Sequence, residues 1–164
     1  MLALTASTWR HHTMSEVPDQ APRFSVNVQY VKDLSFEHPM APRTFTINEA
    51  PQIGVNIGTQ AQKVTDDLFE VVLRVLVEAK HGEEAAFVAD LHYAGLFTLQ
   101  NIPEEHVEPL LLVEAPRILF PFARRIIADV TRDGGVPPLM LDPIDFVAQY
   151  QRSKELQAQQ GGQA

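Results

Sequence analysis

The sequence contains no cysteine, and it has no apolar run long enough to cross a bilayer. The absence of cysteine excludes disulfides, thiol catalysis and Cys-ligated zinc, and it suits a cytoplasmic protein. Positive charge is also scarce, because 13 Lys and Arg stand against 21 Asp and Glu, for a formal net charge of -8. This balance argues against nucleic acid as a partner, since phosphates need a basic face, and it favours a basic partner or simply a soluble acidic surface.

Recognisable catalytic and phosphate-binding motifs are absent as well. The sequence has no P-loop and no G-x-G-x-x-G turn, no serine lies in a G-x-S-x-G elbow, and there is no H-E-x-x-H pair. One acid–base pair stays open, because His92 and Asp90 share a face of a predicted strand, although a surface role is commoner for such a histidine. We therefore interpret the chain as a protein other than an enzyme, without a metal or a cofactor.

Residues 65–99 carry the strongest structural signal. Two runs rich in β-branched and aromatic residues flank a glycine-containing turn at residues 80–84, which is typical of a β-hairpin. In the first run the odd-numbered residues from Phe69 to Val77 are all apolar and share one face, whereas the other face is mixed and can stay wet. We expect the rest of the chain to pack on this hairpin.

A further strand is predicted near the N-terminus, where apolar and polar residues alternate from Phe24 to Glu37. The alternation places Val28 and Tyr30 on the apolar face with Phe24. Asp33 and Glu37 project together from the polar face.

A proline-rich connection leads to a second strand. Proline cannot donate to a sheet ladder, so residues 38–50 are expected to run over the surface. Ile53, Val55 and Ile57 then share one face of a strand that two glycines weaken. Its smooth apolar side chains and accessible backbone would let this strand accept an extended peptide, although an ordinary sheet strand fits the same pattern.

The C-terminal part of the chain is predicted to be helical. A first helix is predicted to begin near Pro103. A longer amphipathic helix begins near Pro116 and ends at the glycines 134–135. A last helix begins within residues 142–145. The predicted fold class is therefore α+β, with a four-stranded antiparallel sheet followed by C-terminal helices packed on one face.

One domain is predicted over residues 22–156. Residues 1–21 carry no periodic pattern, and we expect a disordered extension in which Met14 is a plausible alternative start. The Gln- and Gly-rich residues 157–164 are expected to form a disordered tail. One sheet with few helices would expose large apolar patches in a monomer, so we also predict a homo-oligomer with helices buried between subunits.

Four blocks of sequence, in order along the chain, carry a resemblance to a known family. These blocks are YVKDLSFEHP at 30–39, FEVVLRV at 69–75, GEEAAF at 82–87 and ILFPFAR at 118–124. From about Phe24 to Leu156 the chain resembles SecB, the bacterial protein-export chaperone family. The resemblance implies homotetramers, as dimers of dimers, that hold precursor proteins unfolded in the cytoplasm. It also implies delivery of these precursors to SecA, the translocation ATPase, without ATP or a cofactor.

The resemblance implies a SecA-binding site on the outer sheet face. The family's Lys-Asp-x-Ser-Phe-Glu acids fall on Asp33 and Glu37, and its Phe-Leu-x-Glu positions fall on Val88 and Asp90, which replace the usual Leu and Glu. The implied partner is the basic C-terminal tail of SecA, which holds a zinc ion of its own.

The resemblance also implies a site for unfolded clients. Glu49 stands where the family usually has a tryptophan, so one end of the client groove differs here. The implied client-binding residues are Phe45, Ile53, Val55, Ile57, Met140 and Phe146. Two other functions stay open, namely a SecB-like chaperone dedicated to a toxin–antitoxin system or another single partner, and a small acidic enzyme that uses His92 and Asp90.

Overall fold

A computed structural model describes residues 20–161, so residues 1–19 of the predicted extension and residues 162–164 lie outside the described part of the chain. Four strands come first and the helices follow. The strands are β1 (Arg23–Glu37), β2 (Gln52–Lys63), β3 (Leu68–His81) and β4 (Glu84–Gln100). The helices are α1 (Glu104–Pro109), α2 (Ala115–Asp133) and α3 (Phe146–Gly161), with a 3-10 turn at Arg43–Thr46 and a π turn at Leu110–Glu114.

The four strands form one antiparallel sheet in the order β1-β4-β3-β2. The predicted fold class is therefore confirmed, and so is the central hairpin, whose turn places Gly82 at φ 60. That backbone conformation suits glycine, which lacks a Cβ. β1 and β2 form the two edges of the sheet.

The helices cover one face of this sheet, which we call the inner face. Val71 and Val75 of β3 are fully buried there, as the alternation along the first hairpin strand predicts, and Leu119 of α2 packs in the same core. Gly95 of β4 allows this close approach, because a Cβ at that position would lie 3.0 Å from Cδ2 of Leu119. The opposite face of the sheet is the outer face.

The predicted alternation of β1 is wrong in the middle of the strand. Two β-bulges, one before Val28 and one before Asp33, each shift the pairing with β4 by one residue. Each bulge exchanges the two faces of the strand, since side chains alternate with a period of two. Val28 and Tyr30 therefore lie on the outer face, and Gln29 lies on the inner face opposite Gly95.

The helix ends differ slightly from those predicted from the sequence. α3 begins only after Asp145, whose Oδ1 accepts a hydrogen bond from the backbone N–H of Ala148 at 3.0 Å. The same helix continues to Gly161, so residues 157–161 of the predicted tail are helical. Glutamine and alanine have high helix propensity, which lets this segment extend the helix. No helix in the described residues is long and apolar enough to span a membrane.

Candidate functional site

An acidic surface lies on the outer face where β1, β4 and β3 run side by side. Glu37 of β1 lies opposite Val88 of β4, which in turn lies opposite Glu78 of β3. Asp90 and Asp33 follow in the next two rows of the sheet, since Ser35 pairs with Asp90 and Asp33 with His92. The structure thus brings together the four predicted SecA-binding residues. We call the acidic outer surface the set Asp33, Glu37, Glu78, Val88 and Asp90.

Arg74 holds one of these acids in place. Its Nε and Nη2 donate to the two carboxylate oxygens of Asp90 at 3.0 and 2.7 Å, which is a bidentate ion pair. This hydrogen bonding with Arg74 lowers the pKa of Asp90. Sequence reasoning placed Arg74 on the mixed face but missed its role, because the pairing register that brings β3 beside β4 is not visible in the alternation.

His92 and Asp90 lie close together, as their shared face predicts. Nε2 of His92 is 3.5 Å from Oδ1 of Asp90, beyond a good hydrogen bond. Arg74 donates to both oxygens of Asp90 and lowers the pKa of this carboxyl group, which makes it a weaker base toward the histidine. Among the described residues, no cluster of three or more His, Asp and Glu side chains could hold a metal ion.

A second carboxylate on the outer face is buried. The pattern of β3 allows its mixed face to stay solvated, but Glu70 on that face is only 6 % exposed. It accepts hydrogen bonds from Lys32 at 2.7 and 2.9 Å, and also from Tyr30 and Gln62. We call these four residues the Glu70 cluster.

Electrostatics in the Glu70 cluster follow from these contacts. The hydrogen bonds from Lys32 and Tyr30 favour the charged carboxylate, so they lower the pKa of Glu70. Burial, followed by the hydrogen bond to Glu70, raises the pKa of Tyr30 to about 12. The cluster joins β1, β2 and β3 across the outer face, beside the acidic outer surface.

An apolar groove of about 490 Å³ lies at the end of the sheet where the β1–β2 connection meets the segment that follows α2. Three segments far apart in sequence form its walls. The residues that line it include Phe45, Ile47, Glu49, Ile53, Phe87, Val136 and Leu139. We call this cleft the apolar groove.

Close packing fixes the shape of the apolar groove. Phe36 stacks on Phe87 with ring centroids 5.7 Å apart, and the backbone at Gly134 lies so close to Phe36 that a Cβ there would overlap the ring. The segment after α2 is tied down at Thr131, whose Oγ1 accepts from the backbone N–H of Leu139 at 2.9 Å. Three segments are thereby held in register around the groove.

The predicted client-binding residues are distributed unevenly around the groove. Phe45 and Ile53 line it and are 56 % and 43 % exposed. Val55 is exposed on the same face of β2, two residues beyond Ile53. Ile57 is half-buried against the core, and its carbonyl oxygen accepts from Nε2 of Gln149 at 2.7 Å. Met140 is exposed, but it lines a neighbouring cleft beside α2.

Phe146 does not belong to this surface. Its side chain is 2 % exposed and meets Phe120 of α2 edge-on, with ring centroids 6.0 Å apart. As the first residue of α3, Phe146 anchors that helix to the core. We therefore remove it from the set of client-binding candidates.

An exposed apolar groove and a separate acidic sheet face are features of the class of proteins that bind other polypeptides, to which chaperones belong. The family model described as Preprotein translocase subunit SecB matches residues 18–157. The chain belongs to this family, SecB.

Individual relatives agree with this assignment. The chain is 45% identical over 154 residues to protein-export protein SecB of Rhizorhabdus wittichii, covering 94% of this chain and 93% of that protein. It is 54% identical over 132 residues to protein-export protein SecB of Maricaulis maris, covering 80% of this chain and 77% of that protein.

A solved structure supports the fold. It is a Mycobacterium tuberculosis SecB-like chaperone in complex with a ChAD peptide from the HigA1 antitoxin. This structure matches with a TM-score of 0.62 at 17% identity, covering 74% of this chain and 91% of that chain. At that identity the likeness concerns the fold alone.

Proposed function

We propose that this protein is an ATP-independent holdase, which keeps secretory precursor proteins unfolded in the cytoplasm and delivers them to SecA. The observation that supports this proposal best is the separation of two exposed surfaces in a chain of the SecB family. The apolar groove lies at one end of the sheet, and the acidic outer surface faces away from the helices. Neither surface needs a cofactor, a metal ion or a catalytic group.

The apolar groove would bind extended apolar segments of a client. Phe45 and Ile53 offer apolar contact, and the edge strand β2 offers backbone groups beside them. Loose side-chain pockets and backbone contacts accept many sequences, because neither demands one particular residue. A client held in this way stays unfolded, since the groove occupies apolar side chains that folding would bury.

Replacing Phe45 with glutamine is expected to weaken client binding several-fold, because it removes exposed apolar contact worth about 1–2 kcal/mol. The measurement is the refolding rate of a slow-folding client in the presence of stoichiometric chaperone. Wild-type protein should delay refolding, and Phe45→Gln should delay it less.

Val64 offers the matched control for this experiment. It is 52 % exposed and apolar but lies outside the apolar groove, so Val64→Gln should delay refolding as the wild type does. Equal losses in the two variants would contradict the groove as the client site. Wild-type protein that leaves the refolding of several unrelated clients unchanged would instead favour a SecB-like chaperone dedicated to a single partner, such as an antitoxin.

The acidic outer surface would dock the basic, zinc-holding tail of SecA. Opposite charges steer association, and the attraction between exposed charges falls as salt is added. Asp33 and Glu37 are exposed and have no ion-pair partner within 4.0 Å among the described residues, so both charges are free to meet a cation. Val88 lies between Glu37 and Glu78 and supplies an apolar contact.

Neutralising Glu37 is expected to weaken SecA binding about threefold at low salt, because exposed ion pairs contribute up to about 1 kcal/mol each. The measurement is the dissociation constant of SecA for Glu37→Gln at two salt concentrations, together with the client refolding assay. SecA affinity should fall while the refolding delay stays unchanged. Glu105→Gln on α1 removes an exposed charge that is not part of the acidic outer surface and should leave both unchanged. A parallel loss of both functions in Glu37→Gln would refute a docking role.

We further propose that the protein assembles as a homotetramer, a dimer of dimers. Val26, Val31 and Leu34 on the inner face of β1 are 37 %, 47 % and 40 % exposed, and Phe122 of α2 is 44 % exposed. Soluble monomers rarely leave so much neighbouring apolar surface uncovered. Native mass spectrometry is expected to give four times the subunit mass.

A further inference from the structure

His92 lies among the charged groups of the acidic outer surface. In the sheet register His92 lies opposite Asp33 of β1 on one side and opposite Arg74 of β3 on the other. On its own strand, Asp90 lies two residues away, with 3.5 Å between its Oδ1 and Nε2 of His92. The residues of β2 that line the cleft beside His92 are all uncharged.

The next charged groups along this face do not compete for His92. Glu70 accepts hydrogen bonds from Lys32, so the negative and positive charges of these two groups form an ion pair with each other. The charged surroundings of His92 are therefore two carboxylates and one guanidinium. Those carboxylates, Asp33 and Asp90, are two of the acids that the proposed function assigns to SecA docking.

Nε2 of His92 has no hydrogen-bond partner and is shielded from solvent, although the side chain as a whole is 35 % exposed. A protonated imidazole carries hydrogen on both ring nitrogens. The Nε2–H of an imidazolium would point into the space shared with Asp90, where a small rotation forms an ion pair. The carboxylate oxygen has a further lone pair for it besides the one that Arg74 uses.

We propose that His92 regulates docking at the acidic outer surface, because its protonation inserts a positive charge between Asp33 and Asp90. Two carboxylates and one guanidinium carry a formal charge of about -1 together, and the imidazolium brings this sum to about 0. A basic segment is then attracted less strongly. This inference rests on the proposed function, in which the same surface receives the basic tail of SecA. Docking is therefore stronger at pH 8 than at pH 6, within the range where histidine changes its charge.

Binding measurements at low salt test this regulation with two probes, SecA itself and a synthetic peptide rich in lysine and arginine. For wild-type protein, lowering the pH from 8 to 6 should weaken both affinities about threefold to fivefold, the size of one charge interaction near a protein surface. His92→Gln keeps a polar side chain of similar size without a titrating charge. Its affinities should change by less than half as much.

His106 provides the matched control, since it is an exposed histidine on α1 that lines a cleft with Pro22 and Tyr150 and is not part of the acidic outer surface. His106→Gln should keep the pH dependence of the wild type, which separates His92 from titration of the probes.

The outcomes separate this inference from the proposed function. Equal pH dependence in wild type and His92→Gln, with SecA still bound, would overturn the role of His92 and leave the function standing. A His92-dependent response to the basic peptide without any binding of SecA would support the role of His92 and refute SecA delivery. Failure of both probes to bind the wild type at pH 8 would overturn both.

Discussion

Replacing Glu70 with glutamine is expected to lower the free energy of unfolding by about 2–3 kcal/mol, because the substitution removes a buried charge that satisfies three donors. Lys32, Tyr30 and Gln62 all donate to this carboxylate, and its side chain is only 7 % exposed. A glutamine has one acceptor oxygen in place of two, and its amide group would face donors. Part of the cluster would therefore be left unpaired. Urea-induced unfolding at pH 7 measures the loss.

The same group makes stability depend on pH in a known direction. The hydrogen bonds from Lys32 and Tyr30 lower the pKa of Glu70 below its ordinary value of 4.5, so the folded protein binds this proton less readily than the unfolded chain does. The contribution of Glu70 is fully present above about pH 5 and is lost as the pH falls through the lowered pKa. Glu70→Gln should therefore lose less stability than the wild type between pH 6 and pH 3.

Glu78 is the matched control for both measurements. It lies on the same strand and on the same face, but it is exposed and has no ion pair within 4.0 Å in the described chain. Glu78→Gln should change the free energy of unfolding by less than about 0.5 kcal/mol and keep the acid dependence of the wild type. Similar losses in Glu70→Gln and Glu78→Gln would show that the cluster contributes little.

The Glu70 cluster also shows why alternation alone predicts only part of a sheet. The pattern of β3 correctly places Val71 and its odd-numbered neighbours in the core. It also places Glu70 on a mixed face that can stay solvated, because a face that contains acids is usually in contact with water. The bulges of β1 are invisible in a single sequence, and they are what turns Tyr30 toward the outer face and brings Lys32 within reach of Glu70.

The candidate sites were predictable to different degrees, because contacts between distant segments are not visible in a single sequence. Asp33 and Glu37 follow from their spacing within one strand together with the family resemblance, and both lie on the outer face. The apolar groove depends on three distant segments, so sequence reasoning identified Phe45 and Ile53 but also included the buried Phe146. An apolar residue near a helix start looks the same in sequence whether it anchors the helix or contacts a client.

Replacing Gly134 with alanine is expected to lower the free energy of unfolding by about 2–3 kcal/mol and to abolish most client binding. The backbone at Gly134 has φ -75, which alanine tolerates, so the effect is steric. A Cβ there would overlap the ring of Phe36, and this ring also stacks on Phe87. Phe36 would have to move, or the backbone after α2 would have to shift away from the sheet.

Either movement deforms the apolar groove, since Phe87 and Gly135 both line it. Gly135 also lies against Phe45, where a Cβ would be 3.0 Å from the ring. The delay of client refolding should therefore fall together with stability in Gly134→Ala. SecA affinity should fall less, because Val88 and Asp90 lie on the opposite face of the sheet. The measurements are urea-induced unfolding, client refolding and SecA binding on the same preparation.

Gly58 provides the control for adding a methyl group, because a Cβ there meets nothing within 4 Å. Gly58→Ala should leave stability within about 0.5 kcal/mol of the wild type, and the refolding delay should be unchanged. If the clash with Phe36 causes the defect, then Phe36→Leu should recover part of the loss when it is combined with Gly134→Ala, although Phe36→Leu alone is destabilising. Additive losses in that double variant would show that the ring does not transmit the effect, since only groups in contact couple in this way.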